Sequence, residues 1–132
     1  MKILNRSALR LRAKPTFLEW CSSVAPEDAE ELAILKAQLE QTGTVYLVQE
    51  VESESDFYQA VTDNAVDILK NELMAWCVDA SLWPEELNAQ LLESWFSIDT
   101  ELMCFDLSDQ PLMVADAETL GGGLGGEIIE DF

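Results

Sequence analysis

Between Leu9 and Lys14 the chain alternates without a break: Leu9, Leu11 and Ala13 take every second position, and Arg10, Arg12 and Lys14 fill the positions between. Successive side chains of a strand point to opposite faces, so this pattern predicts a half-buried β-strand over about residues 7–13. The chain must therefore build at least one sheet and find partners for that strand's backbone. Residues 1–18 are also basic, acid-free and rich in Leu, Ala and Ser, the composition of a mitochondrial transit peptide. The period-two alternation decides for the strand.

Two further segments read as strands. Val45-Tyr46-Leu47-Val48 is β-branched and aromatic, follows Gly43 and is too short for a helix, which predicts a central strand running toward Val51. Leu102-Met103-Cys104-Phe105-Asp106-Leu107 is the third, with turn residues Ser108, Asp109 and Pro111 after it.

Helices fill the spaces between. Thr16-Phe17-Leu18-Glu19 has capping-box spacing and predicts a short helix to about Ser23. Pro26 with Glu27 and Asp28 opens a second, whose apolar positions are Ala29, Leu32, Leu35 and Leu39, and Thr42-Gly43 stops it. Ser53 or Ser55 caps the longest helix, with a buried stripe of Phe57, Val61, Ala65, Ile68, Leu69, Leu73 and Trp76 and an outer side of Asp63, Asp67, Lys70 and Glu72. Pro84-Glu85-Glu86 predicts a fourth helix, with Leu87, Leu91, Leu92, Trp95 and Phe96 inward. The expected architecture is α/β or α+β, a small three-stranded sheet covered by helices in the order β-α-α-β-α-α-β.

The domain organisation follows. Residues 1–114 read as one acidic domain, since 132 residues suffice for one core and not for two. Residues 115–132 read as a flexible tail: a glycine run from Gly121 to Gly126, then the acidic, apolar tip Glu127–Phe132.

Charge is segregated as sharply as hydropathy. No acid precedes Glu19, and from residue 15 onward only Lys36 and Lys70 oppose all 26 acids, a net −24 for that stretch. Such a body repels nucleic-acid phosphate and anionic lipid and attracts basic protein surfaces. No apolar run approaches the roughly 18 residues of a membrane span. The expected partner is therefore a basic protein surface, with no direct nucleic-acid binding and no membrane association.

Chemistry is correspondingly restricted. The chain has no histidine, which excludes Ser-His-Asp and Cys-His catalysis and every His-ligated metal site. Cys21, Cys77 and Cys104 form no C-x-x-C pair and read as reduced core thiols of a cytoplasmic protein. Glu50, Glu52, Glu54 and Asp56 are the densest acidic cluster, but lack the glycine-turned calcium loop. The glycine run lacks the G-K-S/T ending of a phosphate cradle. Trp20, Trp76, Trp83 and Trp95 read as core packing, with Trp83 partly exposed. No catalytic residue, metal or cofactor is expected.

The words Thr16-Phe17-Leu18-Glu19-Trp20, Val45-Tyr46-Leu47-Val48, Ser81-Leu82-Trp83-Pro84, Glu93-x-Trp95-Phe96 and Phe105-Asp106-Leu107 resemble, in order and spacing, a group of small acidic bacterial proteins of unknown function. The resemblance spans roughly residues 5–108 and implies a cytoplasmic bacterial protein without supplying an activity or functional residues. The acidic helix at 26–41 and the glycine-rich tail depart from it. The tip, through Ile128, Ile129, Asp131 and Phe132, is similar in kind to the acidic tail of bacterial single-stranded-DNA-binding proteins, which docks into basic pockets of partners.

These readings converge on a non-enzymatic interaction protein that binds a basic partner. The contact residues would be Glu50, Glu52, Glu54, Asp56, Asp63 and Asp67, together with the tip residues Ile128, Ile129, Asp131 and Phe132. Chaperones of secreted bacterial effectors are small and acidic in the same way but need more strands. A nucleic-acid mimic that occupies the groove of a DNA- or RNA-binding protein is the alternative, and a carboxylate enzyme the third.

Overall fold

The computed structural model describes residues 1–24, 29–101, 103–116 and the backbone of 128–130. In chain order the elements are β1 (Lys2–Leu4), β2 (Arg6–Ala13), α1 (Pro15–Val24), α2 (Ala29–Gln41), β3 (Thr44–Gln49), α3 (Glu54–Met74), α4 (Ala89–Trp95), β4 (Phe96–Glu101), β5 (Cys104–Asp106), β6 (Met113–Ala115) and β7 (Ile128–Glu130). The chain divides into two compact units, Leu4–Cys104 and Met1–Ile3 with Phe105–Phe132.

The larger unit is α+β. Its sheet has the order β3-β2-β4, antiparallel throughout, and the order from β2 to β4 is the expected β-α-α-β-α-α-β. The alternation that predicted β2 holds: Ser7, Leu9, Leu11 and Ala13 are buried while Arg10 is exposed. One core follows, in which Leu9 and Leu11 meet Phe17 and Cys21 of α1, Ile68, Leu69 and Leu73 of α3, and Leu92 and Trp95 of α4. The rings of Phe17 and Phe96 lie 4.5 Å apart, and Trp20 and Trp95 extend the aromatic group. Trp20, Trp76 and Trp83 are partly buried against this core: Trp83 as expected, whereas Trp76 lies beyond the end of α3 at Met74 and not on its buried stripe.

Two local signals act as predicted. Ser53 caps α3, its hydroxyl accepting the Asp56 amide at 3.2 Å. Gly43 ends α2 with φ +70°, and its amide reaches the Gln38 carbonyl at 2.9 Å. A Cβ built there would lie 1.7 Å from the Leu11 carbonyl oxygen, so the position admits only glycine.

Elsewhere the structure corrects the sequence reading. Thr16 does not open α1. The helix starts at Pro15, whose fixed φ suits the first helical position, and the Lys14 carbonyl accepts from Phe17 and Leu18. Pro84 does not open α4 either: Asn88 caps it, accepting the Leu91 amide at 2.9 Å, because an Asn side chain reaches the free amides of a first turn. Phe96 leaves the helix and begins β4, and this strand, not residues 102–107, is the third member of the sheet. Cys104–Asp106 forms the short β5, paired with β1.

Val45–Val48 lies in an edge strand, since β2 takes the centre. The stripe assigned to α2 is shallow: Leu35 is exposed and Leu39 only partly buried. The expected start of that helix at Pro26 lies outside the described residues. Glu72, expected on the outer side of α3, is buried. Cys21 is buried, whereas Cys77 and Cys104 are half-buried; all three are free thiols.

In the smaller unit Lys2 donates to the carbonyls of Ser108 and Gln110 and faces the Asp106 carboxylate at 4.0 Å. There β6 pairs antiparallel with β7, Val114 opposite Ile129.

Candidate functional site

The acids singled out from sequence fall on one connected stretch, the exit of β3 and the outward side of α3. Glu50 and Glu52 follow the strand, and Glu54 and Asp56 stand in the first helical turn, where the helix dipole favours negative charge. Asp56 also accepts the Glu52 amide through Oδ2 at 3.4 Å, so part of its role is to fasten the helix start. All four are exposed.

Further along α3, Asp63 and Asp67 are exposed as well. Positions 56, 63 and 67 repeat at seven and four, which brings them to one stripe of the helix. At about 1.5 Å rise per residue the stripe extends over about 16 Å. Gln59 donates to Asp63 Oδ1 at 2.8 Å. None of the six acids forms an ion pair among the described residues. Lys70 is the one cation of α3 and shares its outward side.

The tip residues belong to the smaller unit and the ridge to the larger one. Ile128 and Ile129 lie in β7, opposite Ala115 and Val114. Asp131 and Phe132 lie outside the described residues, as does the expected glycine linker at 121–126.

One polar cluster was missed by the sequence reading. Glu72 projects from α3 into the core and is only 6% exposed. Its carboxylate accepts from the Tyr46 hydroxyl at 2.5 Å and from Thr44 Oγ1 at 3.3 Å, both on β3. Asn71 donates to the Tyr46 oxygen at 2.8 Å. Burial raises the Glu72 carboxyl above the ordinary carboxylate range, against the lowering effect of its two hydrogen bonds. Burial raises Tyr46 as well, and the Glu72 charge adds to it.

The signal for Glu72 was present: it lies four residues after Ile68 and three after Leu69, on the apolar stripe. The partner was not visible, because Tyr46 is 26 residues away. Chemically the cluster is a hydrogen-bonded clamp between an edge strand and a helix. Nearby Cys21 has its thiol pushed up to about 12, chiefly by burial, which leaves it a poor nucleophile.

Among the described residues no three His, Cys, Asp or Glu side chains converge as metal ligands, and no helix is long and apolar enough to cross a membrane. No family model matches the chain, and neither a curated protein nor a solved structure is significantly similar to it.

Proposed function

We propose that this chain is a non-enzymatic binding protein of the bacterial cytoplasm that docks a basic surface of a partner protein on its acidic ridge. The observation that carries this reading is the stripe of Asp56, Asp63 and Asp67, exposed and without ion pairs among the described residues. Carboxylates left unpaired in a body this acidic raise the local potential, which speeds encounter with a cationic partner and repels anionic ones. Glu72, the described carboxyl that burial raises, is turned inward and engaged by Tyr46 and Thr44, which disfavours a carboxylate enzyme.

The test is capture from a bacterial lysate on the immobilised chain, washed at low and then high salt, with a variant carrying Asp56→Asn, Asp63→Asn and Asp67→Asn beside it. A specific basic protein should be retained by the parent, released by salt and lost from the variant. Equal retention by the variant would remove the ridge from the interface. The regular acidic stripe also favours nucleic-acid mimicry as a second reading. In that case the retained proteins bind nucleic acid and duplex DNA displaces them from the chain.

A further inference from the structure

The outward face of the sheet carries side chains that a solvated face does not explain. In an antiparallel sheet with helices on one side, outward positions are ordinarily polar. β3 instead presents Val45 and Leu47 outward, 55% and 53% exposed. Their register partners on β2 are Arg10 and Ala8. A run such as Val45–Val48 belongs to strands buried on both faces, yet here the helices cover only the side of Tyr46 and Val48.

The charge on this face is equally out of place. Asp99 of β4 stands opposite Arg10 in register, but its carboxylate is taken by Arg12. Arg10 is therefore exposed without a hydrogen-bond or ion-pair partner among the described residues, in a chain whose acids outnumber its bases 26 to 7. A groove of about 570 Å³ is lined by Arg10, Val45, Ile98 and Met103, the last 60% exposed, and by the acids Asp99 and Glu101, of which Glu101 forms no ion pair among the described residues.

We propose that this face docks a short segment of a partner protein that carries a carboxylate flanked by aliphatic or aromatic side chains. The carboxylate pairs with Arg10, whose planar guanidinium accommodates it in a two-bonded fork, and the apolar side chains cover Val45 and Leu47. Arginine is among the residues in which binding energy concentrates at interfaces. A second copy is a poor occupant, because two chains of net −19 repel one another. A basic segment would leave Arg10 unpaired. The inference is independent of the acidic ridge, which selects the opposite charge.

Panning a random peptide library on the immobilised full chain tests it. The enriched peptides should carry Asp or Glu beside Leu, Ile, Val or Phe. Arg10→Glu should weaken them about tenfold or more, the scale of one charge-assisted hydrogen bond. Leu47→Lys should weaken them too, whereas Asp63→Asn with Asp67→Asn should not. Far-UV circular dichroism shows whether each variant is folded. Enrichment of Lys- or Arg-rich peptides, binding that survives both face substitutions, or no enrichment would overturn the proposal. So would sedimentation of the parent as a dimer that Leu47→Lys dissociates, which would give the face to a second copy.

Discussion

The Tyr46 hydroxyl donates to Glu72 Oε2 at 2.5 Å and so ties the edge strand β3 to the longest helix, α3. Both groups lie between the sheet and the helix layer, where an ionised carboxylate is poorly solvated. The folded chain therefore holds the Glu72 proton more tightly than the unfolded chain does. Its stabilising contribution is complete below the ordinary carboxylate range and is lost as pH rises through the raised folded value. Glu72→Gln removes that loss. Thermal melts of parent and variant should nearly coincide at acid pH and separate as pH rises, with the variant melting higher. Tyr46→Phe should act in the opposite direction and cost about 1–3 kcal/mol at neutral pH, because the carboxylate loses a buried donor.

Gly43 closes α2 in the left-handed region, with the Leu11 carbonyl oxygen where a side chain would begin. That oxygen belongs to the central strand and cannot move aside cheaply. Gly43→Ala should destabilise the fold by more than about 1 kcal/mol, measured by urea denaturation. Exposed Ile34→Ala on the same helix should stay within about 0.5 kcal/mol of the parent.

What the sequence revealed and what it concealed divide along the range of the interaction. The β2 alternation, the Ser53 cap, the Gly43 stop and the α3 stripe from Phe57 to Leu73 are each written in a few neighbouring residues, and each is found in the structure. The third strand is concealed in the sequence because Phe96 continues the helical spacing of Leu92 while also starting the alternation Phe96, Ile98, Thr100. Pairing with β2 decides for the strand there. The more apolar run that follows, residues 102–107, carries the stronger local strand signal. Val45–Val48 reads as central because its outward side is apolar, a property of the outer face that a single strand cannot explain. The exposure of the acidic ridge was legible from helix period alone, since Asp56, Asp63 and Asp67 avoid the buried stripe. The Glu72 clamp needed a tertiary partner.

Because β2 is bonded on both sides, its amides should be the slowest to exchange in the sheet. Ala8 to Leu11 have register partners on both β3 and β4. Hydrogen exchange followed by NMR should place these four near the global unfolding limit. Alternate amides of the edge strand β3 should exchange faster. Uniformly rapid exchange across residues 8–11 would contradict the central placement of this strand.

Salt should stabilise the protein rather than weaken it. Two described ion pairs, Arg12 with Asp99 and Lys2 with Asp106, stand against 26 acids. Among the described residues Glu50, Glu52, Glu54, Asp56, Asp63 and Asp67 form no ion pair and therefore contribute chiefly repulsion. At 0.1–0.15 M ionic strength the screening length is about 8–10 Å, shorter than the roughly 16 Å span of the α3 stripe. Screening thus removes more repulsion between separated acids than it removes attraction within the two close pairs. The melting temperature should rise as NaCl is raised from low to moderate concentration. Neutralising the ridge with Asp56→Asn, Asp63→Asn and Asp67→Asn should raise the melting temperature at low salt and flatten its salt dependence. A parent protein that melts at the same temperature across that range would mean that the acids are already neutralised by bound cations, and titration with calcium or magnesium would then shift the melt.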